Sequence, residues 1–481
     1  MVAASTSAFA QTAGPAAGEW PQFQGGPTHL GSAPGGPQPP YVEAWAFDQP
    51  VGGPQGESGM SPPVVADGMV VALTPDEVVA LDLADGTERW RIDRRQGPTV
   101  QPAIAAVDDG HVVVFPEGFG PNPPGSSTDD GGLGVPATPS PAPADGEVTP
   151  VELVAVDLTD GAERWRVDLP SPSRTGVTVD AETAYVGGND GSVTAVALDD
   201  GDVRWTVEAG GTTLAPVAVA GDLVIVSAPG DTATGLGVVA LAAADGELVW
   251  RFEPTSPAAL SGPPAVTDDA VILGLEDRSI RALDLADGQE RWSARLNSIV
   301  SPLTSVAVGE DLLVGVDIGG QVYGLDPSDG RRLWDHALNR SVLRSAPVLV
   351  PGHVLVATQR GELLAVETGG GDLVWSGSAV AGVLRSLAVA GDLVIGVRAG
   401  TTPGLVAFTT DPSGTLVREV TPTRFDAGAL LGSFALAAIP LAAAALLLGT
   451  ALRRRMGPPT LADGGDEEPF DPIEDTLGVD R

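Results

Sequence analysis

The stretch SGPPAVTDDAVILGLEDRSIRALDLADGQERWSARL, residues 261–296, decides the fold. It reads as four short apolar runs, SGPPAV, AVILGLE, IRALDL and QERWSARL, separated by TDD, DRS and ADG. Each run is β-branched or alternating and is bounded by Asp, Gly or Pro, which is how strands joined by tight turns are written. The Asp287-Gly288 pair supplies the positive φ that a hairpin turn between the third and fourth strands needs.

The phrase that closes this unit recurs along the chain. It ends at Trp90 (DLADGTERW), Trp165 (DLTDGAERW), Trp205 (ALDDGDVRW), Trp250 (AAADGELVW), Trp292 (DLADGQERW), Trp334 (DPSDGRRLW) and Trp375 (ETGGGDLVW). The intervals between these Trp are 75, 40, 45, 42, 42 and 41 residues. Four antiparallel strands repeated at a period near 42 predict an all-β fold, a β-propeller of four-stranded blades. A helical solenoid would show a 3.6-residue rhythm, which is missing. The wide first interval holds an insertion, residues 117–150, between the strands HVVVF and VELVAVDL. Its Pro, Gly, Ser and Asp content cannot bury a core, so a disordered loop is expected there.

Two incomplete units predict how the ring closes. Near the C-terminus LAVAGDLVIGVRAGTTPGLVAFTTDPSGTLVREV repeats the pattern, but Arg418 stands where Trp belongs. YVEAWAF near the N-terminus has a Trp strand, with Trp45, and no preceding unit. The expectation is eight blades, with strand 41–47 completing the last one and Trp45 joining the seven others as blade Trp. A seven-bladed ring with that strand packed elsewhere is the alternative. Closing first to last leaves no open seam.

Composition narrows function by exclusion. The net charge is −37 and all 26 basic residues are Arg, so no basic footprint exists for nucleic acid, and none is expected as a partner. Cysteine is absent, which excludes disulfides, thiolate metal sites, Cys nucleophiles and a lipid-modified N-terminal Cys. His29, His111, His336 and His353 share no metal-ligand spacing, and GGNDGSV around Asp190 reads as a turn. No catalytic, cofactor or metal residue is assigned.

The repeated phrase, with the opening EWPQFQGGPTHLG, resembles the pyrroloquinoline-quinone (PQQ) repeat of quinoprotein dehydrogenases and their non-enzymatic relatives, over about residues 18–420. The resemblance implies a propeller whose repeated Trp pack between neighbouring blades. For its enzymes it also implies a vicinal disulfide against the quinone, a Trp beneath it, and Ca²⁺ held by acidic and amide ligands beside a catalytic Asp. This chain has no Cys, and Asn122, Asn189, Asn297 and Asn339 match no such site. It therefore resembles the scaffold branch of the family, and no cofactor is expected. It lacks the lipidated Cys found in the outer-membrane assembly lipoproteins of that branch.

Residues 427–452, AGALLGSFALAAIPLAAAALLLGTAL, carry no charge over 26 positions, more than the ~20 needed to cross a bilayer. A transmembrane helix at 426–452 is expected, followed by Arg453-Arg454-Arg455 and an acidic tail, 453–481. The Arg cluster predicts a cytoplasmic C-terminus and an extracellular propeller spanning 18–425. Residues 1–17 are expected to be a signal-peptide remnant or a disordered leader, with Ala8-Phe9-Ala10 as a cleavage-like site.

One asymmetry bears on binding. In each blade the first-to-second and third-to-fourth turns share one face, where the sequence is almost uniformly acidic. The other face collects the second-to-third turns and the links between blades. It carries Arg94, Arg95, Arg174, Arg278, Arg340, Arg344, Arg360, Arg385 and Arg398. Arg344 and Arg385 occupy matching places in two VLRS segments at the start of an innermost strand. Arg344, Arg385, Arg340, Arg360 and Arg398 form the candidate partner-binding face, for an anionic protein or cell-envelope partner. Pairing of these Arg with surrounding carboxylates is the structural alternative.

Overall fold

The computed structural model describes residues 18–49, 59–95, 100–108, 110–118, 150–173, 175–210, 215–229, 236–254, 260, 262–297, 303–342, 345–378, 382–400, 402–411, 415–416 and 418–419. Among them no helix is long and apolar enough to cross a membrane. The expected span at 427–452 lies outside the described residues, as do the leader at 1–17, the tail at 453–481 and most of the insertion.

Eight antiparallel sheets form the ring. Blade 1 is Val64–Ala66, Met69–Leu73, Glu77–Asp82 and Glu88–Asp93. Blade 2 is Ala103–Val107, Gly110–Glu117, Glu152–Asp157 and Glu163–Asp168, and blade 3 runs from Val177–Val179 to Val203–Glu208. Blades 4 to 7 begin at Ala218–Ala220, Ala265–Val266, Leu303–Val308 and Val348–Val350. The first strands of neighbouring blades touch in an unbroken cycle, blade 8 returning to blade 1, so they are the innermost strands.

Blade 8 is the composite one. Its own strands are Val383–Ala390, Leu393–Ala399 and Gly404–Thr409. Val42–Asp48 pairs antiparallel with the last of these, placing Trp45 opposite Ala407. The eight-bladed expectation therefore holds over the seven-bladed alternative. The displaced C-terminal strand is still used: Thr415–Leu416 pairs outside Val42–Glu43, and Arg418–Glu419 crosses to the outer strand of blade 7, opposite Gly377 and Ser378.

Among the described residues the apolar core is divided. Apolar side chains form separate layers between consecutive blades, as where Val71, Leu73 and Trp90 of blade 1 meet Val113, Phe115 and Leu158 of blade 2. A blade buried on both faces needs apolar residues at successive positions, which explains runs such as VVAL and AVILG where simple alternation would serve one buried face.

The Trp ladder forms a set of latches. The indole Nε1–H of Trp45 donates to Leu83 O at 2.9 Å, Trp90 to Leu158 O at 2.7 Å, and Trp165 to Leu198 O at 2.7 Å. Trp205 donates to Ala243 O at 2.9 Å, Trp250 to Leu285 O at 2.9 Å, Trp292 to Pro327 O at 3.1 Å and Trp334 to Thr368 O at 2.8 Å. Every acceptor lies in the next blade, three residues before the Gly of its Asp-Gly-type turn. Trp375 faces the composite blade instead and meets Tyr41 edge to face at 4.9 Å.

The turn itself is longer than a two-residue hairpin. Gly86 N–H bonds Asp82 O at 2.9 Å, and Asp82 N–H bonds Thr87 O at 2.8 Å, so residues 83–86 form the loop. Its Gly has φ +70, and a Cβ there would stand 2.6 Å from Trp45 Cε3. Glycine thus answers two demands, a left-handed backbone and the ring of the preceding blade lying flat on it.

Candidate partner-binding face

The leading segment, residues 18–36, was the part of the chain whose role its sequence concealed. It runs around the axis and pairs with the innermost strands in order. Trp20 exchanges both backbone bonds with Val65 of blade 1 at 2.8 Å, and Ile104 N–H of blade 2 bonds Pro21 O at 2.7 Å. The Gln22 amide bonds both backbone groups of Val179 in blade 3, at 2.9 and 3.0 Å. Val219, Val266 and Val308 of blades 4 to 6 donate to Pro27, Thr28 and Leu30, and Leu349 of blade 7 pairs with Gly31 and Ala33. Six of these seven contacts fall on the last or next-to-last residue of the strand, the end nearest the acidic turns. In the sequence the segment shows only as the opening EWPQFQGGPTHLG of the resemblance, whose Pro and Gly break regular structure beyond the single 3-10 turn Phe23–Gly25.

His29 belongs to this segment and is fully buried. Its ring lies edge-on to Phe23 at 5.1 Å, and Nε2 is 3.4 Å from Thr178 Oγ1. Burial lowers its pKa to about 3, so it is neutral at physiological pH and packs as a polar core residue. His111 lies beside Asp67, and among the described residues no group of three or more His, Cys, Asp or Glu is arranged to hold a metal ion.

The Arg residues of the link face divide. Arg340 pairs with Glu362 at 3.0 Å, both nearly buried, and Arg398 pairs with Asp48 and donates to Phe47 O at 3.0 Å. Arg398 thereby pins the end of the closing strand to blade 8. Arg360 is exposed in the second-to-third turn of blade 7, with no ion pair among the described residues. Arg385 is half-buried at the start of blade 8. Arg344 and Arg174 lie outside the described residues. Arg278 sits in the second-to-third turn of blade 5 with φ +70.

A denser arrangement stands at the root of the insertion. Glu117 and Glu152 face each other across the second and third strands of blade 2, both buried. Arg166 pairs with both, Arg95 pairs with Glu152, and the Arg95 N–H reaches Glu117 Oε2 at 3.0 Å. Arg94, buried above the Phe115 ring at 5.6 Å, donates to Pro116 O at 2.9 Å, and desolvation lowers its pKa to about 10. Two guanidinium groups, of Arg95 and Arg166, therefore hold two opposed carboxylates that would otherwise repel, and the buried Arg94 charge adds to the attraction on Glu117.

The outer strands carry a second pattern. In each of blades 1 to 7 a β-bulge falls on the residue just before the Trp, for example between Ala80 and Leu81, where Arg89 is the extra residue. Where that residue is Arg, an Asp at the end of the third strand often meets it: Arg89 with Asp82, Arg164 with Asp157 at 2.5 Å, and Arg291 with Asp284 at 2.8 Å. In blade 4 both positions are apolar, Val249 and Ala242. The Arg flanking the Trp are thus tied within their own blades.

Comparison with known proteins agrees with this architecture. A family model described as outer membrane protein assembly factor BamB matches residues 45–126, 151–298 and 233–411. The chain belongs to that family of PQQ-like β-propeller repeats. BamB of Yersinia pestis is 28% identical over 159 residues, which is 30% of this chain and 39% of that protein. BamB of Shewanella oneidensis is 27% identical over 154 residues, 29% of this chain and 38% of that protein. The matched stretch thus spans about two-fifths of the length of these curated relatives. Among solved structures, BamB from Moraxella catarrhalis aligns at a TM-score of 0.55 with 16% identity, over 77% of this chain and 99% of that one. Quinohemoprotein alcohol dehydrogenase from Comamonas testosteroni aligns at 0.61 with 12% identity, over 84% and 82%. At such identities these structures establish the shared fold.

The quinone and Ca²⁺ of the dehydrogenase relatives do not fit the residues present. There is no Cys for a vicinal disulfide. Trp20 is tied to Val65, and Asn189 and Asn339 sit in a turn and a link of different blades. No reaction step is derived through that group.

Proposed function

We propose that this chain is a non-catalytic scaffold that binds a protein partner on the link face of its propeller, held outside the cytoplasm by a single membrane span at 427–452. The observation that carries the reading is the ordered pairing of residues 18–36 with seven innermost strands, six of them at their acidic-face ends. The chain fills that end of the axis itself, and among the described residues it supplies no such pairing at the link-face end. Arg360 and Arg385 stand on that face, the sequence pattern assigns Arg344 to it as well, and an acidic or carboxylate-bearing segment matches them. Arg340 and Arg398 frame the same face while pairing with Glu362 and Asp48. The family description, an outer membrane assembly factor, favours a protein partner over a small substrate.

The test is proximity labelling from a fused labelling enzyme, comparing the native chain with Arg344→Ser, Arg360→Ser and Arg385→Ser combined. The expected outcome is at least one envelope protein labelled by the native chain and lost in the triple variant, with the folded fraction unchanged. Identical labelling by both would refute the assignment of this face. Reduction of a dye on addition of PQQ with Ca²⁺ would move the chain to the dehydrogenase class. Retention in the membrane fraction after alkaline extraction, lost on deleting 427–452, tests the anchor.

A further inference from the structure

On the opposite, acidic face the first-to-second turns of blades 8 and 1 and the third-to-fourth turns of blades 1 and 2 surround an open cavity of about 660 Å³. Its apolar lining comes from Met69, Leu83 and Leu393, all only half-buried. Carboxylates stand in the same wall. Asp82 is matched by Arg89 and Asp67 lies against His111, while Asp392 has no ion pair among the described residues. The cavity sits over the seam where the closing strand enters, beside the Leu83 carbonyl that receives the Trp45 latch.

We propose that this seam cavity is a second docking site, taking a basic side chain flanked by apolar residues from an extended segment of a partner protein. Charge complementarity decides the occupant. The surrounding turns present Asp85, Asp108 and Asp160 to solvent on the same face. An anionic or purely apolar group would meet that field unfavourably, whereas Arg or Lys can lay an apolar stem on the floor and place its charge among the carboxylates. The site is on the face opposite the Arg residues, so one chain would hold a basic segment and an acidic segment on its two sides. It does not depend on the link-face reading.

The probe is an acetylated Leu-Arg-Leu-Arg amide, titrated calorimetrically into the full chain at physiological ionic strength. Binding is expected to fall at least tenfold in Asp67→Asn with Asp392→Asn. It should stay within twofold in Glu310→Gln with Asp311→Asn, which removes the same charge from the corresponding turn of blade 6. A Gly-Arg-Gly-Arg amide should bind at least fivefold more weakly than the Leu peptide. Equal losses in the two double variants would mean a diffuse acidic field and overturn the site, as would no loss in either. Equal binding of the two peptides would overturn the role of the apolar floor. Both variants change exposed side chains, and matching melting curves confirm that the fold is intact.

Discussion

Replacing Gly288 by Ala tests the latch most directly. Gly288 has φ +70, and a Cβ built on it would lie 2.5, 2.8 and 3.1 Å from Cε3, Cδ2 and Cζ3 of Trp250, with no other atom among its three nearest. Two costs follow. A non-Gly residue in the left-handed region costs roughly 1–2 kcal/mol. Pushing a buried indole off a well-packed seat costs roughly 1–3 kcal/mol more. The single variant should therefore lose about 2–5 kcal/mol. Trp250→Leu alone removes the bond to Leu285 O at 2.9 Å and leaves that carbonyl without its partner. With the volume lost, about 2–4 kcal/mol is expected. In the double variant the steric part of the Ala cost disappears, because the ring it strikes is gone. The two losses should then fall short of their sum by about 1–3 kcal/mol. Guanidinium unfolding followed by both fluorescence and far-ultraviolet dichroism supplies the energies, provided the two transitions coincide. Additivity within about 0.5 kcal/mol would refute the close packing of Gly and Trp across the seam.

Two further outcomes are expected. His29 titrates at about 3 in the fold and near 6.5 when unfolded, so the unfolded chain binds more protons between those values and stability must fall as pH drops below 6.5. The loss by pH 4 should be about 3 kcal/mol, and His29→Gln should flatten it; an unchanged acid slope in the variant would count against burial of a neutral ring. Glu117→Gln removes one of two carboxylates that hold Arg166, Arg95 and Arg94 at the base of the insertion. It should cost roughly 2–4 kcal/mol, below the full value of a buried pair because Arg166 is partly solvated, while Glu88→Gln on the exposed rim costs under about 1 kcal/mol. Similar small losses in both, measured by chemical unfolding, would show that the network is no stronger than a surface pair.

The ring and its closure were legible because each rests on a local rule repeated many times. The Asp-Gly turn, the apolar runs and the Trp spacing are all short-range signals, and YVEAWAF had the right pattern for a missing outer strand. What stayed hidden depends on partners distant in sequence. Gln22 looks like any loop amide until Val179, 157 residues away, is brought to it. Glu117 and Glu152 stand at the ends of a long loop, and nothing nearby in sequence announces that Arg95 and Arg166 converge on them. Glycine at the turn was understood for its φ, whereas its second reason, the ring of Trp from the blade before, appears only once blades are stacked. For the Arg face the sequence could not show that Arg340 and Arg398 have acidic partners within the chain.

The closing strand also imposes an order in time. Val42 pairs with Thr409, 367 residues later, and Arg418 reaches blade 7 only after that. At a synthesis rate of roughly 5–20 residues per second, VEAWAF must wait roughly 20–75 s for its partner. During that interval it is an apolar strand with two bare edges, the kind that seeks any other edge available. The blades between can assemble in sequence, but the molecule has no sealed perimeter until nearly its last described strand arrives. A chain stopped short of residue 404 would keep most of its blades and still be the form most prone to aggregate.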